Sequence, residues 1–221
     1  VFPVFAIIAV GWWYARHRRS RGGIDMAFAN ELNMAVFVPA LVFAALTSKS
    51  LELSAYGRLA LAALAVMFGS GLVAWALARL LGEQPKTFVP TMMFVNAGNM
   101  GLPLMVLAFG EAALPAAVVL FFVENTLHYV LGTWLLDHHA RLWNLWRVPV
   151  IFAALAAVAV KLAGIEVWPP LHMAIKLLGD VSIPLLLFSL GVRLATSQLA
   201  DLRIGLIGAV ACSASGMALA W

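Results

Sequence analysis

Residues 94–106 read "FVNAGNMGLPLMV", two asparagines, two glycines and a proline inside a run otherwise apolar enough for a lipid bilayer. Hydrocarbon offers no water to a freed N–H or C=O, so an interrupted helix at membrane depth costs several kcal/mol per orphaned group. Irregular backbone is tolerated there only where protein buries it or where it lines a cavity. The fold of the whole chain turns on which of these applies.

The surroundings are those of a membrane protein. Hydrophobic residues make up 64% of the 221 and charged residues 11%, and the mean hydropathy is +0.98, far from soluble composition. The single cysteine, Cys212, excludes an internal disulfide and a cysteine metal cluster, and neither HExxH nor a Gly-rich phosphate loop occurs. No cofactor is expected beyond a coupling H⁺ or Na⁺. The chain begins with Val1 and stays apolar to Tyr14, and Ala209 to Trp221 stops without a polar flank, so both ends read as cut. The charges of "RHRRSR" follow the first apolar run, which fits a trimmed span better than a secretion signal.

A bilayer core of roughly 30 Å takes about 20 apolar residues per helix. Eight segments fit: Val1 to Ala15, Leu32 to Thr47, Leu59 to Leu81, Thr87 to Gly110, Ala112 to Leu136, Val148 to Gly164, Leu171 to Leu194 and Ile204 to Trp221. The connectors are short, which makes the expected fold an all-α polytopic bundle. With the N-terminus outside, the inner connectors carry Arg16, Arg18, Arg19, Arg21, Arg79, Lys86, Arg141, Arg147, Arg193 and Arg203, 10 of the 14 basic residues. Lys49, Arg58, Lys161 and Lys176 remain for the outside, a bias that sets the orientation in an inner (cell) membrane. The net charge of +4 then implies contact with anionic lipid headgroups and no nucleic acid.

The chain also repeats. A shift of 145 residues pairs Leu32 with Leu177, Val36 with Val181, Pro39 with Pro184, Leu41 with Leu186 and Phe43 with Phe188, and continues through Arg58 with Arg203, Ser70 with Ser215 and Gly71 with Gly216. A shift of 146 pairs "PV" at Pro3 with "PV" at Pro149. Five spans separate the copies, so equivalent helices run in opposite directions, as in transporters built from inverted repeats with sites on discontinuous helices. The first repeat is read as 1–137 and the second, with three spans, as 148–221. The counterpart of Asn96 to Pro103 would fall near 241 to 248, beyond Trp221, so two of ten spans are expected to be missing.

Pro103 lacks an N–H and its ring clashes with the carbonyl of Asn99. Leu102 is pushed from helical angles, and Gly98 and Gly101 permit positive φ. The break is therefore expected around Gly98 to Leu102, with a half-helix C-terminus near Val95 to Ala97 and a half-helix N-terminus near Pro103. The carbonyl end suits a cation and the N–H end an anion. Asn96 and Asn99 both donate and accept hydrogen bonds, so they hold a carboxylate without a buried charge. The lone Pro39 and Pro184 read as packing kinks or hinges.

"NAGNMGLPL" at 96–104 resembles the signature of the auxin efflux carrier family, plant exporters and bacterial organic-acid permeases. "PVFAIIAVGWWYAR" from Pro3, "LNMAVFVPALVFAAL" from Leu32 and "LGDVSIPLLLFSLGVRL" from Leu178 look like its first, second and seventh spans. The resemblance covers essentially the whole chain. It implies ten spans in inverted five-helix repeats, crossed discontinuous fourth and ninth helices, and alternating-access movement of a small organic anion such as a dicarboxylate or an auxin-like carboxylate. Asn96, Gly98, Asn99, Gly101 and Pro103 would supply the fourth-helix part of the substrate site.

Glu124 and His128 in "VENTLHYV" lie four apart on one helix face, with Asn125 beside them. An ionisable residue inside a span is a functional candidate, here for proton coupling, against a structural hydrogen-bonded pair. Asp180 is placed to pair with Lys176 at i to i+4, His138 and His139 fall in an inner loop, and Trp12, Trp13, Trp143 and Trp146 suit interface anchors. Three alternatives stand beside the carrier: a sodium-coupled symporter of related design, a transporter-like sensor or scaffold, and an intramembrane enzyme. The last is disfavoured, because "FGSG" has Phe68 where a rhomboid-type GxSG needs Gly, and no GxGD occurs. Partners are a small organic anion and lipid, with a homodimer as a candidate assembly.

Overall fold

The structure is a computed structural model that describes residues 2–18, 24–47, 53–136, 148–197 and 202–220. It is helical throughout, and no strand occurs among the described residues. The elements are α1 (Phe2–Arg18), α2 (Ala27–Leu46), α3 (Leu53–Leu81), α4 (Pro85–Met93), α5 (Leu102–Phe109), α6 (Leu114–Leu136), α7 (Pro149–Leu162), α8 (Pro169–Asp180), α9 (Ser182–Thr196) and α10 (Leu202–Ala220). Each of the eight apolar segments falls on a helix or on a consecutive pair, α4 with α5 and α8 with α9. By length and hydropathy, Ala27–Leu46, Gly57–Leu81, Pro169–Thr196 and Arg203–Ala220 can cross a membrane, and Pro149–Leu162 is a shorter apolar helix. Trp143, Trp146, His138 and His139 lie outside the described residues.

The helices gather into two compact units. The first takes α1, α2, α5, the start of α6, α7, α8 and α9. Here α1 packs along α9, and α2 packs on both α7 and α8. Glycine sets the spacing of the first pair. A Cβ on Gly11 would strike the Phe188 carbonyl oxygen, and one on Gly191 the Ile8 carbonyl oxygen, so only glycine lets these backbones touch. Such close approach suits lipid, where helices associate by packing rather than by expelling water. Val4, Ile8 and Leu187 form the buried seam, with Leu104 of α5 packed against it. Polar glue joins α2 to α9, where the Ser189 hydroxyl donates to Asn30 Oδ1 at 2.7 Å.

The second unit takes α3, α4, the rest of α6 and α10. Ala74, Ala78, Phe88 and Met92 are its core, with Ile204, Ala211 and Cys212 of α10 packed around them. Where α3 meets α10, the Ser215 and Ser70 hydroxyls are 3.5 Å apart.

Two prolines sit at discontinuities. Pro39 follows a π-helical turn at Asn33–Phe37 inside α2, and Pro184 follows the turn at Val181 that separates α8 from α9. A π turn changes the i to i−4 bonding just where a proline ring would clash with it. Helical bonding is therefore irregular a few residues before each of these prolines. Aromatic rings pair with neighbouring side chains on α1 and α3: the Arg16 guanidinium lies 4.6 Å over the Trp12 ring, Trp13 stacks on His17 at 5.5 Å, and Arg79 lies 5.2 Å over Trp75.

Candidate functional site

The interruption between α4 and α5 is present, and it lies earlier than the prolines and glycines imply. α4 ends at Met93, and Phe94 is extended at φ −104° and ψ 115°. Residues 94–96 stay non-helical, and helix resumes as a π turn at Ala97–Gly101 that runs into α5. Gly98 and Gly101 do not take positive φ; Gly101 sits at φ −62° and ψ −53°. The break expected at Gly98 to Leu102 is thus corrected to 94–96. The physical reason parallels α2, since in each case a π turn ends two residues before the proline. Pro103 therefore enters as an early residue of α5 without unwinding the chain.

What opens the helix at 94–96 is capture of its backbone by distant side chains. In the second unit the Glu124 carboxylate accepts a hydrogen bond from the Val95 backbone N–H. The Cys212 thiol donates to the Met92 carbonyl at 3.3 Å, relieving one of the carbonyls a helix C-terminus leaves open. The Phe94 and His128 rings stack at 4.6 Å. Three partners from α6 and α10 thus grip the end of α4 and the first residues after it, replacing bonds that a continuous helix would make. Glu124 Oε1 is buried without a hydrogen-bond partner among the described residues, as is Thr126 Oγ1. A carboxylate oxygen left open beside a helix C-terminus is a place where a small cation gains both a charge and carbonyl dipoles.

The other side of the break belongs to the first unit. Because helix resumes at Ala97, the N–H groups of Gly98, Asn99 and Met100 fall in the first turn of the new helix. Pro103 is fully buried, Leu102 is 1% exposed, and Leu104 rests on the Val4, Ile8 and Leu187 seam. This anchors the N–H end on rigid packing, as a recognition site requires. The Asn96 side chain is exposed and has an interaction of its own. The Asn99 side chain lies outside the described residues. Asn125 is half-buried on α6.

Of the expected residues, Glu124 and His128 do converge on the end of α4, though by contacts to Val95 and Phe94 rather than to each other. Asp180 holds Lys176 at 2.8 Å, as the spacing implies. Cys212 was legible only as a cysteine without a disulfide partner; nothing local pairs it with Met92. Asn33 and Ser182, fully buried with no hydrogen-bond partner for their side chains among the described residues, carry a signal that was readable: polar residues a few positions before a proline in an apolar span.

A bundle of long apolar helices with an interrupted, side-chain-captured helix is a helical membrane protein. The family model described as membrane transport protein matches residues 1–141, and the chain belongs to that family, the auxin efflux carrier family whose motif stands at 96–104. Comparison with curated proteins and with solved structures returns no match.

Proposed function

We propose that this membrane transporter is a secondary carrier of small organic anions that works by alternating access. One observation carries the reading: in a member of a transport family, the chain leaves α4 at Met93, is extended at Phe94, turns tightly where the Ala97 N–H donates to the Val95 carbonyl at 2.9 Å, and re-enters helix with the N–H groups of 98–100 in its first turn. Those N–H groups, with Asn96 and Asn99, would hold the carboxylate. The alternative structural role, a packing kink, leaves unexplained why three side chains from other helices secure the end of α4.

Inverted five-helix repeats are part of this proposal, and the packing supports them. Under the 145-residue exchange α1 becomes α7 and α9 becomes α2, so α1 on α9 and α7 on α2 are the same interaction made twice. α3 and α10 are exchanged for one another and pack together, with Ser70 meeting Ser215. The two compact units mix helices of both repeats, and they are the bodies whose movement we propose. Glu124, with its open carboxylate oxygen, is the proposed coupling residue for H⁺ or, in the symporter variant, Na⁺.

The test is uptake of ¹⁴C-labelled dicarboxylates by the full-length protein in proteoliposomes, with and without a sodium gradient. Asn99→Ala removes a hydrogen bond to a charged group, about 1.5–3 kcal/mol, which lowers uptake roughly 10- to 100-fold at unchanged expression. Wild-type uptake by that variant would remove Asn99 from the site. Absence of saturable flux for any carboxylate would favour a sensor or scaffold.

A further inference from the structure

Between the end of α7 and the face of α8, the first unit has a half-open surface cavity of about 570 Å³, lined largely by exposed residues. It shares no residue with the interrupted helix. Gly164, at φ +66°, closes α7 by a left-handed turn that only glycine takes without strain. That turn satisfies the helix end: Gly164 N–H donates to the Lys161 carbonyl at 3.1 Å and Ile165 N–H to the Val160 carbonyl at 3.1 Å. The wall here is therefore made of side chains rather than open carbonyls. Opposite, Pro169, His172, Met173 and Lys176 line the cavity at helical spacing along one face of α8.

The lining has two chemical characters. Ile165, Val167 and Met173 are apolar, while Lys161, Lys176, His172 and Glu166 are polar or charged. Lys161 and Lys176 are balanced by Glu166 in the lining and by Asp180 beside Lys176, so the exchangeable feature is the Lys176 contact rather than a net charge. Lys161 and Glu166 are engaged in interactions of their own. Lys176 is held by the Asp180 carboxylate at 2.8 and 3.1 Å, with both side chains about half exposed, at 51% and 49%. An exposed pair of this kind is weak and exchanges readily for another carboxylate. His172, a turn before Lys176 on the same face, has no side-chain partner among the described residues and can add a second donor. The volume falls within the range of about 300–1,000 Å³ that small-molecule sites occupy.

We propose that this cavity binds an amphipathic organic monoanion, its carboxylate displacing Asp180 from Lys176 and bonding His172, its apolar body lying on Ile165, Val167 and Met173. The site stands on the cavity alone and does not rest on the carrier reading. A single exchangeable lysine contact suits one carboxylate rather than two, and the apolar residues suit a body over a bare inorganic ion.

Isothermal titration of the full-length protein in dodecyl maltoside with benzoate, and with benzyl alcohol as a neutral analogue, tests this. Benzoate should bind and benzyl alcohol should not. Lys176→Gln should weaken benzoate roughly two- to fivefold, the range for one exposed charge pair. Asp180→Asn should tighten it by a similar factor, because the competing carboxylate is gone, an effect that a merely structural pair would not give. Asn99→Ala should leave benzoate binding unchanged even where it abolishes uptake, which separates this cavity from the broken helix. Equal benzoate affinity in wild type, Lys176→Gln and Asp180→Asn would overturn the proposal, as would loss of binding in Asn99→Ala alone. Phosphatidylglycerol that binds with dependence on residue 176 while benzoate does not would assign the cavity to a lipid headgroup instead.

Discussion

Glu124 offers the sharpest separation of structure from function. Replacing it by Gln keeps an acceptor for the Val95 N–H but removes the ability to exchange a proton. Two effects on stability oppose one another. A hydrogen bond to a charged group contributes about 1.5–3 kcal/mol, and Gln keeps a neutral acceptor for the Val95 N–H, so about the lower figure is lost. Against that, Gln removes the charge from an oxygen, Oε1, buried without a partner among the described residues, and so relieves the charged part of a penalty of about 1–3 kcal/mol. The sum is near zero. At about 2–4 °C per kcal/mol for a chain of this size, the melting temperature of Glu124→Gln should lie within about 3 °C of wild type. Transport should respond very differently: in proteoliposomes held at a series of pH values across roughly pH 5 to 8, the wild type should show a titration in initial uptake rate and the variant a flat profile. Uptake that keeps the wild-type pH profile, together with a fall in melting temperature beyond about 5 °C, would refute the reasoning and leave Glu124 as a clamp on Val95.

Other substitutions follow from the packing. Gly191→Ala drives a methyl into the Ile8 carbonyl, backbone that cannot move aside, and should destabilise by about 1–3 kcal/mol; thermal unfolding in detergent reads this, and an unchanged melting temperature would show that α1 and α9 are less closely apposed. Asn33→Leu exchanges a fully buried amide without partners for an apolar side chain of similar size and should be neutral or raise the melting temperature by about 2–4 °C or more. A marked loss of stability in that variant would mean that the amide is satisfied in the membrane.

The helices were legible because apolar runs near 20 residues and basic loops are strong signals, and because Pro39, Pro103 and Pro184 punctuate them. The family was legible from "NAGNMGLPL" alone. The position of the break was not, because proline and glycine report only what the local chain can tolerate. Pro103 finds tolerance in a π turn, while the helix opens three residues earlier than Ala97 on account of Glu124, 29 positions along, and Cys212, 120 positions from Met92. Those partners come from tertiary structure, and no window of sequence around residue 94 contains them. The α7 to α8 cavity was invisible for the same reason: Lys161 reads as an outer charge and Lys176 as the partner of Asp180 until the left-handed turn at Gly164 brings residues of both helices to one cavity wall.

The Ser70 and Ser215 hydroxyls, 3.5 Å apart, belong to positions that the 145-residue shift treats as copies of one another. A position that touches its own copy cannot drift alone. Any gain of volume on one side must be matched by loss on the other, so the pair has the freedom of one site rather than two. Swapping in a larger residue at 70 should therefore be rescued by glycine at 215, and equally the other way round, whereas no such exchange links Gly11 to its shifted mate. On the proposed repeat, where most paired positions are free to diverge, this seam keeps the two halves tied.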